Sequence, residues 1–363
     1  MARTSREKTP SVETMSGPTV MRAAVYYSNR DVRLEQRPIP AIGPDELLLR
    51  IERSGICGSD VMEWYRRRRA PLVLGHEVAG TVAARGANVR RYREGDRVTA
   101  AHHVPCDACR YCLRGHHTMC HTLHSTNFDP GGFAEYARLS GIHVDRGVFP
   151  LPEDVTAEQA VFVEPLACVV RAQRAAPVRE DDTVFVVGSG IIGLLHIKAA
   201  RAAGARRILA ADLSEYRLAA ATRFGAAAAF RPAADLAPQV REANAGRLAD
   251  LVIVCTGALP AIAAALGCAE PGGTVMLFAP AGPDATFPAV PFNGTFFRTD
   301  LIVTTSYGAA PQDYAEALDL IGRGLIHIDD MITHRLGLSE AAEGFRLVAD
   351  AGESIKVILD HSR

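Results

Sequence analysis

Long apolar runs are missing from this sequence. No stretch reaches the roughly 18 consecutive apolar residues that a membrane-crossing helix needs, so no membrane partner is expected. The first twenty residues, MARTSREKTPSVETMSGPTV, also lack the apolar centre of a secretory signal. They read as a polar N-terminal extension, disordered or from an over-long start, because Met21 opens the first alternating apolar segment, MRAAVYY. Glu7 and Glu13 weaken the alternative of an organelle transit peptide. Charge of one sign is not in excess either, since the 363 residues carry a formal net charge of −1. A nucleic-acid binder needs a basic face, and this balance argues against one. The one basic run, Arg66-Arg67-Arg68-Arg69, reads as a solvated loop, with contact to an anionic ligand or a neighbouring subunit as the alternative. No internal repeat or low-complexity tract is evident beyond alanine richness. What remains is a cytoplasmic protein of ordinary globular composition, long enough for two domains.

The texture of the chain changes once. Up to about residue 170, short alternating segments such as ELLLRIERSGI and HEVAGTVAARG are broken by glycine and proline, which reads as β-rich. From Asp182 to Tyr307, apolar runs alternate with alanine-rich amphipathic stretches. TVFVVG, RRILAAD, LADLVIVCTG, GGTVMLFAP and LIVTTSYG have the uninterrupted apolar character of buried parallel strands. IIGLLHIKAARAAG, SEYRLAAATRFG and LPAIAAALGCAE have that of the crossover helices, so the fold class is α/β with a doubly wound sheet. After Gln312 a helix (QDYAEALDLIGRG) leads to alternating segments ending in SIKVILD, read as rejoining the first domain.

Within TVFVVGSGIIG, Gly188, Gly190 and Gly193 form G-x-G-x-x-G between an apolar strand and an apolar helix. The first glycine allows a tight turn, and the second lets a pyrophosphate approach free N–H groups at a helix N-terminus. Asp212 ends the next strand, where a carboxylate accepts hydrogen bonds from ribose hydroxyls and repels a 2′-phosphate. That favours NAD over NADP. Arg217 reads as a phosphate contact or a helix-surface residue.

Cys106, Cys109, Cys112 and Cys120 stand at C-x2-C-x2-C-x7-C. In a long chain whose other cysteines sit in apolar runs, this favours a metal over disulfides. Four thiolates close a tetrahedron on zinc and leave no position for substrate, so the cluster reads as structural. A zinc-ribbon nucleic-acid module is the weaker alternative. A more scattered set comprises Cys57 in GICGSD, His76 and Glu77 in LGHEVAG, and Glu164 in VFVEPLAC. One thiolate, one imidazole and carboxylates suit a zinc with room left for substrate. Taken singly, Cys57 reads equally as core and Glu77 as a surface charge. Cys168, Cys255 and Cys268 read as core.

GICGSD, GHEVAG, the four-cysteine lobe, PGGFAEY, VEPLAC and VVGSGIIG follow one another in the order found in medium-chain zinc alcohol dehydrogenases. Over about residues 21 to 360 the sequence resembles their polyol and threonine dehydrogenase branch. The resemblance implies a GroES-like catalytic domain over residues 21–172 and 312–363, with a zinc lobe near 102–122. It implies a Rossmann NAD domain over 173–311, two zinc ions per subunit, NAD(H) and a homodimer or homotetramer. Cys57, His76 and Glu164 match the catalytic ligands, with Glu77 ligating directly or exchanging with water. Ser59 matches the hydroxyl that bonds the substrate oxygen, and Asp60 the carboxylate that orients the ligand histidine. The turn Gly188-Ser189-Gly190-Ile191-Ile192-Gly193 matches the dinucleotide turn, completed by Asp212 and Arg217. One position departs: Met62 stands where relatives often carry a proton-relaying histidine, which leaves Glu63, a water chain or the cofactor ribose for that task.

The chemistry implied is exchange of hydride between a secondary alcohol, such as a polyol, and nicotinamide. Zinc lowers the pKa of bound water from 15.7 to about 7. A similar shift for an alcohol is about nine units, on the order of 12 kcal/mol. A ketone reductase of specialised metabolism and a non-catalytic relative of the same fold are the alternatives.

Overall fold

The computed structural model describes residues 19–233 and 235–363. The first eighteen residues of the expected N-terminal extension lie outside the described residues, and Val20 already opens a strand. That strand, β1 (Val20–Ser28), forms an antiparallel hairpin with β2 (Asp31–Pro38). Strand β3 (Leu47–Ile56) is central to a larger sheet, while β4 (Leu72–Val73) closes the free side of β1. Strands β5 (Glu77–Arg85), β6 (Arg97–Ala100), β7 (Tyr136–Leu139) and β8 (Val148–Pro150) extend the sheet around β3. Side chains alternate along a strand, so Leu47, Leu49 and Ile51 share one face. They pack there with Val78, Val82 and Val98 in a single apolar cluster.

The middle of the chain builds a parallel sheet from β9 (Thr183–Val187), β10 (Arg207–Ala211), β11 (Ala228–Phe230), β12 (Ala249–Val254), β13 (Ala269–Leu277) and β14 (Ile302–Thr305). Its order is β11-β10-β9-β12-β13-β14, which reverses direction beside β9. Every residue of β9 is buried, with Val184 and Val186 in one core and Phe185 and Val187 in another. Both faces are therefore covered, which is why the strand carries no polar alternation. In such sheets a ligand crevice opens beyond the carboxyl ends of the strands, at the point of reversal.

The chain then returns. Strand β15 (Ile332–Gly337) pairs parallel with β16 (Lys356–Asp360), and β16 pairs antiparallel with β3. Before it, helix Pro311–Gly322 lies with helix Val163–Ala175 in a core that also takes in Val184 and Leu194. Asp313 clasps these two helices: its buried carboxylate accepts the Ala310 N–H at 2.7 Å and pairs with Arg174. Among the described residues no helix is long and apolar enough to cross a membrane.

Arg174 is partly in solvent, so the clasp is worth a cap plus a screened ion pair. Asp313→Ala is expected to lower unfolding stability by about 1–2 kcal/mol in urea melts. A change indistinguishable from zero would contradict the clasp.

Candidate active site and metal centres

The edge of β3 delivers the first donor. Cys57 follows Ile56, and the turn after it is closed from both ends. The Asp60 N–H donates to the Cys57 carbonyl at 3.0 Å, while the Cys57 N–H donates to Asp60 Oδ2 at 3.1 Å. The Ser59 N–H points at Cys57 Sγ, 3.5 Å away. Asp60 is fully buried and stands 3.4 Å from His76 Nδ1. Holding that nitrogen turns Nε2 away as the free donor, as is usual for ligand histidines. Burial raises the pKa of Asp60, but the neighbouring His76 and Arg66 outweigh it and hold the carboxylate below its usual value. Burial likewise opposes charge on His76, yet Asp60 lifts its pKa well above the ordinary imidazole value.

His76 and Glu77 lie at the start of β5, which pairs with β3, so the two strands bring their ends together. One donor atom each from Cys57, His76 and Glu77 lies within 4.8 Å of the others. Glu164, on helix Val163–Ala175, is buried beside this triad rather than inside it. Burial lifts its pKa to about 7, with Glu77 adding to the rise while His76 and Lys356 oppose it. Cys168 lies one helical turn on, its Sγ 3.7 Å from Glu164 Oε1, so it borders the site as well as packing against the core. The His102 ring lies 4.8 Å from that of His76, and burial keeps His102 neutral.

Sequence reasoning missed Lys356. Only three lysines occur in the chain, and this one is completely buried in β16, ion-paired with the equally buried Glu77. Gly55 on β3 makes room for the pair, since a Cβ there would collide with the Glu77 carboxylate and the Lys356 ammonium. The available signal was a single cation inside the apolar run SIKVILD. Arg66 was read only as part of a basic run, whereas its Nε donates to the Ser59 carbonyl at 2.9 Å and its Nη2 to Ser59 Oγ at 3.3 Å. Trp64, Tyr307 and Phe297 are exposed.

The cysteine lobe is folded by two short 3-10 turns, Cys112–Arg114 and His117–Met119. Sulfur atoms of Cys106, Cys109, Cys112 and Cys120 all lie within 4.8 Å of one another, and no disulfide links them. Backbone N–H groups of Cys106 and Cys109 point at Cys120 Sγ (3.4 Å) and Cys106 Sγ (3.3 Å). Burial opposes ionisation of Cys120, but the Cys106 and Leu123 N–H groups bring its pKa down to about 6, whereas burial pushes Cys112 up to about 12. Four convergent sulfurs with N–H donors aimed at them match the donor chemistry of a tetrahedral zinc. The lobe's own apolar cluster is small, built on Leu123 and the cysteines themselves.

The glycine turn joins β9 to helix Ile191–Ala202. Gly188 has φ +95°, a left-handed conformation that favours glycine, and a Cβ on Gly193 would collide with the Gly188 carbonyl. Gly190 is the N-cap, so the N–H groups of the first helical turn, Ile191, Ile192 and Gly193, are free for an anion. Ser189 is buried, its Oγ without a partner. Asp212 follows β10 and accepts the Ser189 N–H at 2.7 Å and the Ser214 N–H at 2.9 Å. It is thereby fixed at the rim of the turn with lone pairs to spare. Arg217, in the first turn of helix Glu215–Phe224, has a buried Nε with no partner among the described residues.

Removing one member of a buried ion pair strands the other. Lys356→Met is expected to cost about 3–5 kcal/mol of stability in denaturant titrations, with part restored in the double variant Glu77→Gln/Lys356→Met. A single-variant loss no larger than that of a surface change, about 0.5 kcal/mol, would contradict the pairing.

Residues 43–153 match the family model of the alcohol dehydrogenase GroES-like domain, and residues 192–323 that of zinc-binding dehydrogenases. Sorbitol dehydrogenase of Gallus gallus is 34% identical over 93% of this chain and 95% of its own. A protein of Sinorhizobium meliloti 1021, assigned as a zinc-binding dehydrogenase and solved with NADP, is 29% identical with TM-score 0.83, covering 94% of this chain and 100% of its own. Galactitol-1-phosphate dehydrogenase of Escherichia coli has the same identity, TM-score and coverage. With both family models matched and a relative of that identity aligned along most of its length, this chain belongs to the zinc-binding medium-chain alcohol dehydrogenase family.

Proposed function

We propose that the protein interconverts a secondary alcohol of a polyol-like substrate and its ketone by hydride exchange with NAD(H), in the cytoplasm. The observation that carries this reading is the convergence of the Cys57, His76 and Glu77 donors next to Ser59, whose N–H points at Cys57 Sγ. The sorbitol and galactitol-1-phosphate dehydrogenases among its relatives support a polyol substrate. Cys57, His76 and Glu77 would hold the catalytic zinc, with Glu164 as the adjoining carboxylate, and the four-cysteine lobe the structural one. When bound, the catalytic ion supplies Lewis acidity that makes the substrate hydroxyl acidic.

The chain's own groups do the rest. Asp60 fixes the His76 ring, so the donor nitrogen does not wander. Ser59 Oγ hydrogen-bonds the reacting oxygen and takes up its proton. The Glu63 carboxylate accepts the Asn29 N–H, and Arg66 is the side chain bonded to Ser59 Oγ. A guanidinium does not give up a proton, so proton exit runs through water or the cofactor ribose. The glycine turn would hold the pyrophosphate, and Asp212 the ribose, with NAD preferred because a 2′-phosphate would face that carboxylate. A relative solved with NADP makes this preference worth testing.

Cys57→Ala is expected to abolish NADH production from polyols while NAD still binds with near-native affinity by calorimetry. Asp212→Ala should weaken NAD and narrow its advantage over NADP. Unchanged turnover in the first variant would sink the catalytic assignment.

A homo-oligomer is part of the same proposal. Among the described residues strand β14 has a neighbour on one side only, and Phe292, Phe297 and Ile302 around it are exposed. An uncovered edge beside apolar side chains favours pairing with a second copy. Sedimentation should report a dimer or tetramer that dissociates in the variant Ile302→Asp; a monomeric native protein at micromolar concentration would refute this.

A further inference from the structure

The basic run is not one feature. Arg67, Arg68 and Arg69 are exposed, and two of them line, with Glu63 and Trp64, a shallow hollow of about 410 Å³. Arg66 folds the other way, leaving its side chain only 16% exposed. Its Nε and Nη2 are spent on Ser59, and its guanidinium carbon sits 5.0 Å from the centre of the Tyr65 ring. Asp60 Oδ1, at 3.7 Å, lies beyond hydrogen-bond reach of Nη2 and is shared with His76. Nη1 therefore remains the uncommitted end of a cation held against the hydroxyl that meets the reacting oxygen. Across from it, Tyr307 stacks on His124 with ring centres 5.9 Å apart, and neither carries negative charge. Arg66 is thus the inward cation of the run, with the buried Asp60 facing it at 3.7 Å.

We propose that Arg66 is a specificity-determining residue that selects secondary alcohols carrying an anionic group, a phosphate or a carboxylate, close to the carbinol carbon. The inference rests on the dehydrogenase reading and narrows its substrate class. A planar guanidinium with free N–H donors is suited to a tetrahedral or planar oxyanion, and the outer arginines raise the local concentration of such ligands. A neutral polyol presents nothing that requires a fixed charge at this point. Because Arg66 donates to one lone pair of Ser59 Oγ, the other is left to accept the substrate hydroxyl proton while the Ser59 O–H passes its own proton on toward water or the cofactor ribose.

Three substrates with one carbon skeleton test this: sorbitol, sorbitol 6-phosphate and gluconate, each with NAD. In the native enzyme kcat/KM for at least one anionic member should exceed that for sorbitol by about 10- to 100-fold, the contribution of one charge-assisted hydrogen bond. Which of the two is preferred separates phosphate from carboxylate recognition. In Arg66→Gln the anionic-to-neutral ratio should fall to within a few-fold of one, while Arg66→Lys should keep part of it. A native enzyme that prefers sorbitol, or a variant that lowers all three equally, would overturn the proposal. Trp64, the single tryptophan, stands two residues from Arg66 and supplies a readout independent of turnover. Its emission should respond to inorganic phosphate or gluconate in the native protein and not in Arg66→Gln. That response without any alcohol oxidation would retire the dehydrogenase reading and keep the anion site; sorbitol oxidation without that response would do the reverse.

Discussion

Buried negative charge must be compensated, and this constraint organises the molecule. Asp60, Glu77 and Glu164 crowd into one buried region. Stranding even one ionised group in such a place costs several kcal/mol. The chain supplies two cations of its own. Lys356 neutralises Glu77, and Arg66 leans on the Asp60 side. Delivering Lys356 requires the last strand to return from beyond the parallel sheet and hydrogen-bond to β3. Making space for it requires Gly55 on β3. What is left over is a thiolate, an imidazole nitrogen and carboxylate oxygens pointing at a common place, a donor set that a divalent cation satisfies.

The cysteine lobe obeys the same rule by a different route. It has little apolar surface to bury, so its stability has to come from a cross-link. Four sulfurs with N–H groups aimed at two of them leave no position for a substrate oxygen. The first cluster keeps such a position open beside Ser59. On the proposed function, the two donor sets would divide the work between holding the fold and meeting the substrate.

Much of the architecture could be read from the chain because its signals are local. Uninterrupted apolar runs such as TVFVVG and LVIVC became β9 and β12, buried on both faces. The glycine turn was legible because backbone conformation at Gly188 and close packing at Gly193 demand glycine whatever surrounds them. Other features depend on contacts that no spacing encodes. Lys356 and Glu77 are 279 residues apart, and nothing near either one names the other. Four consecutive arginines look alike in sequence, and only the direction of the short helix Glu63–Arg66 sends the first of them inward. The triad places Glu77 among the converging donors and Glu164 beside them, a distinction of side-chain direction that carboxylates of equal charge do not reveal in one dimension.

The central claim is that two chemically different donor sets each take up one metal ion. Zinc K-edge X-ray absorption on the purified protein tests it directly. The five cysteines of the two clusters should appear as five sulfur scatterers shared between two zinc ions, with the remaining positions filled by nitrogen and oxygen. Replacing Cys57 by serine should remove one sulfur and leave the four of the lobe. A single zinc with only sulfur neighbours, unchanged by that replacement, would contradict the account.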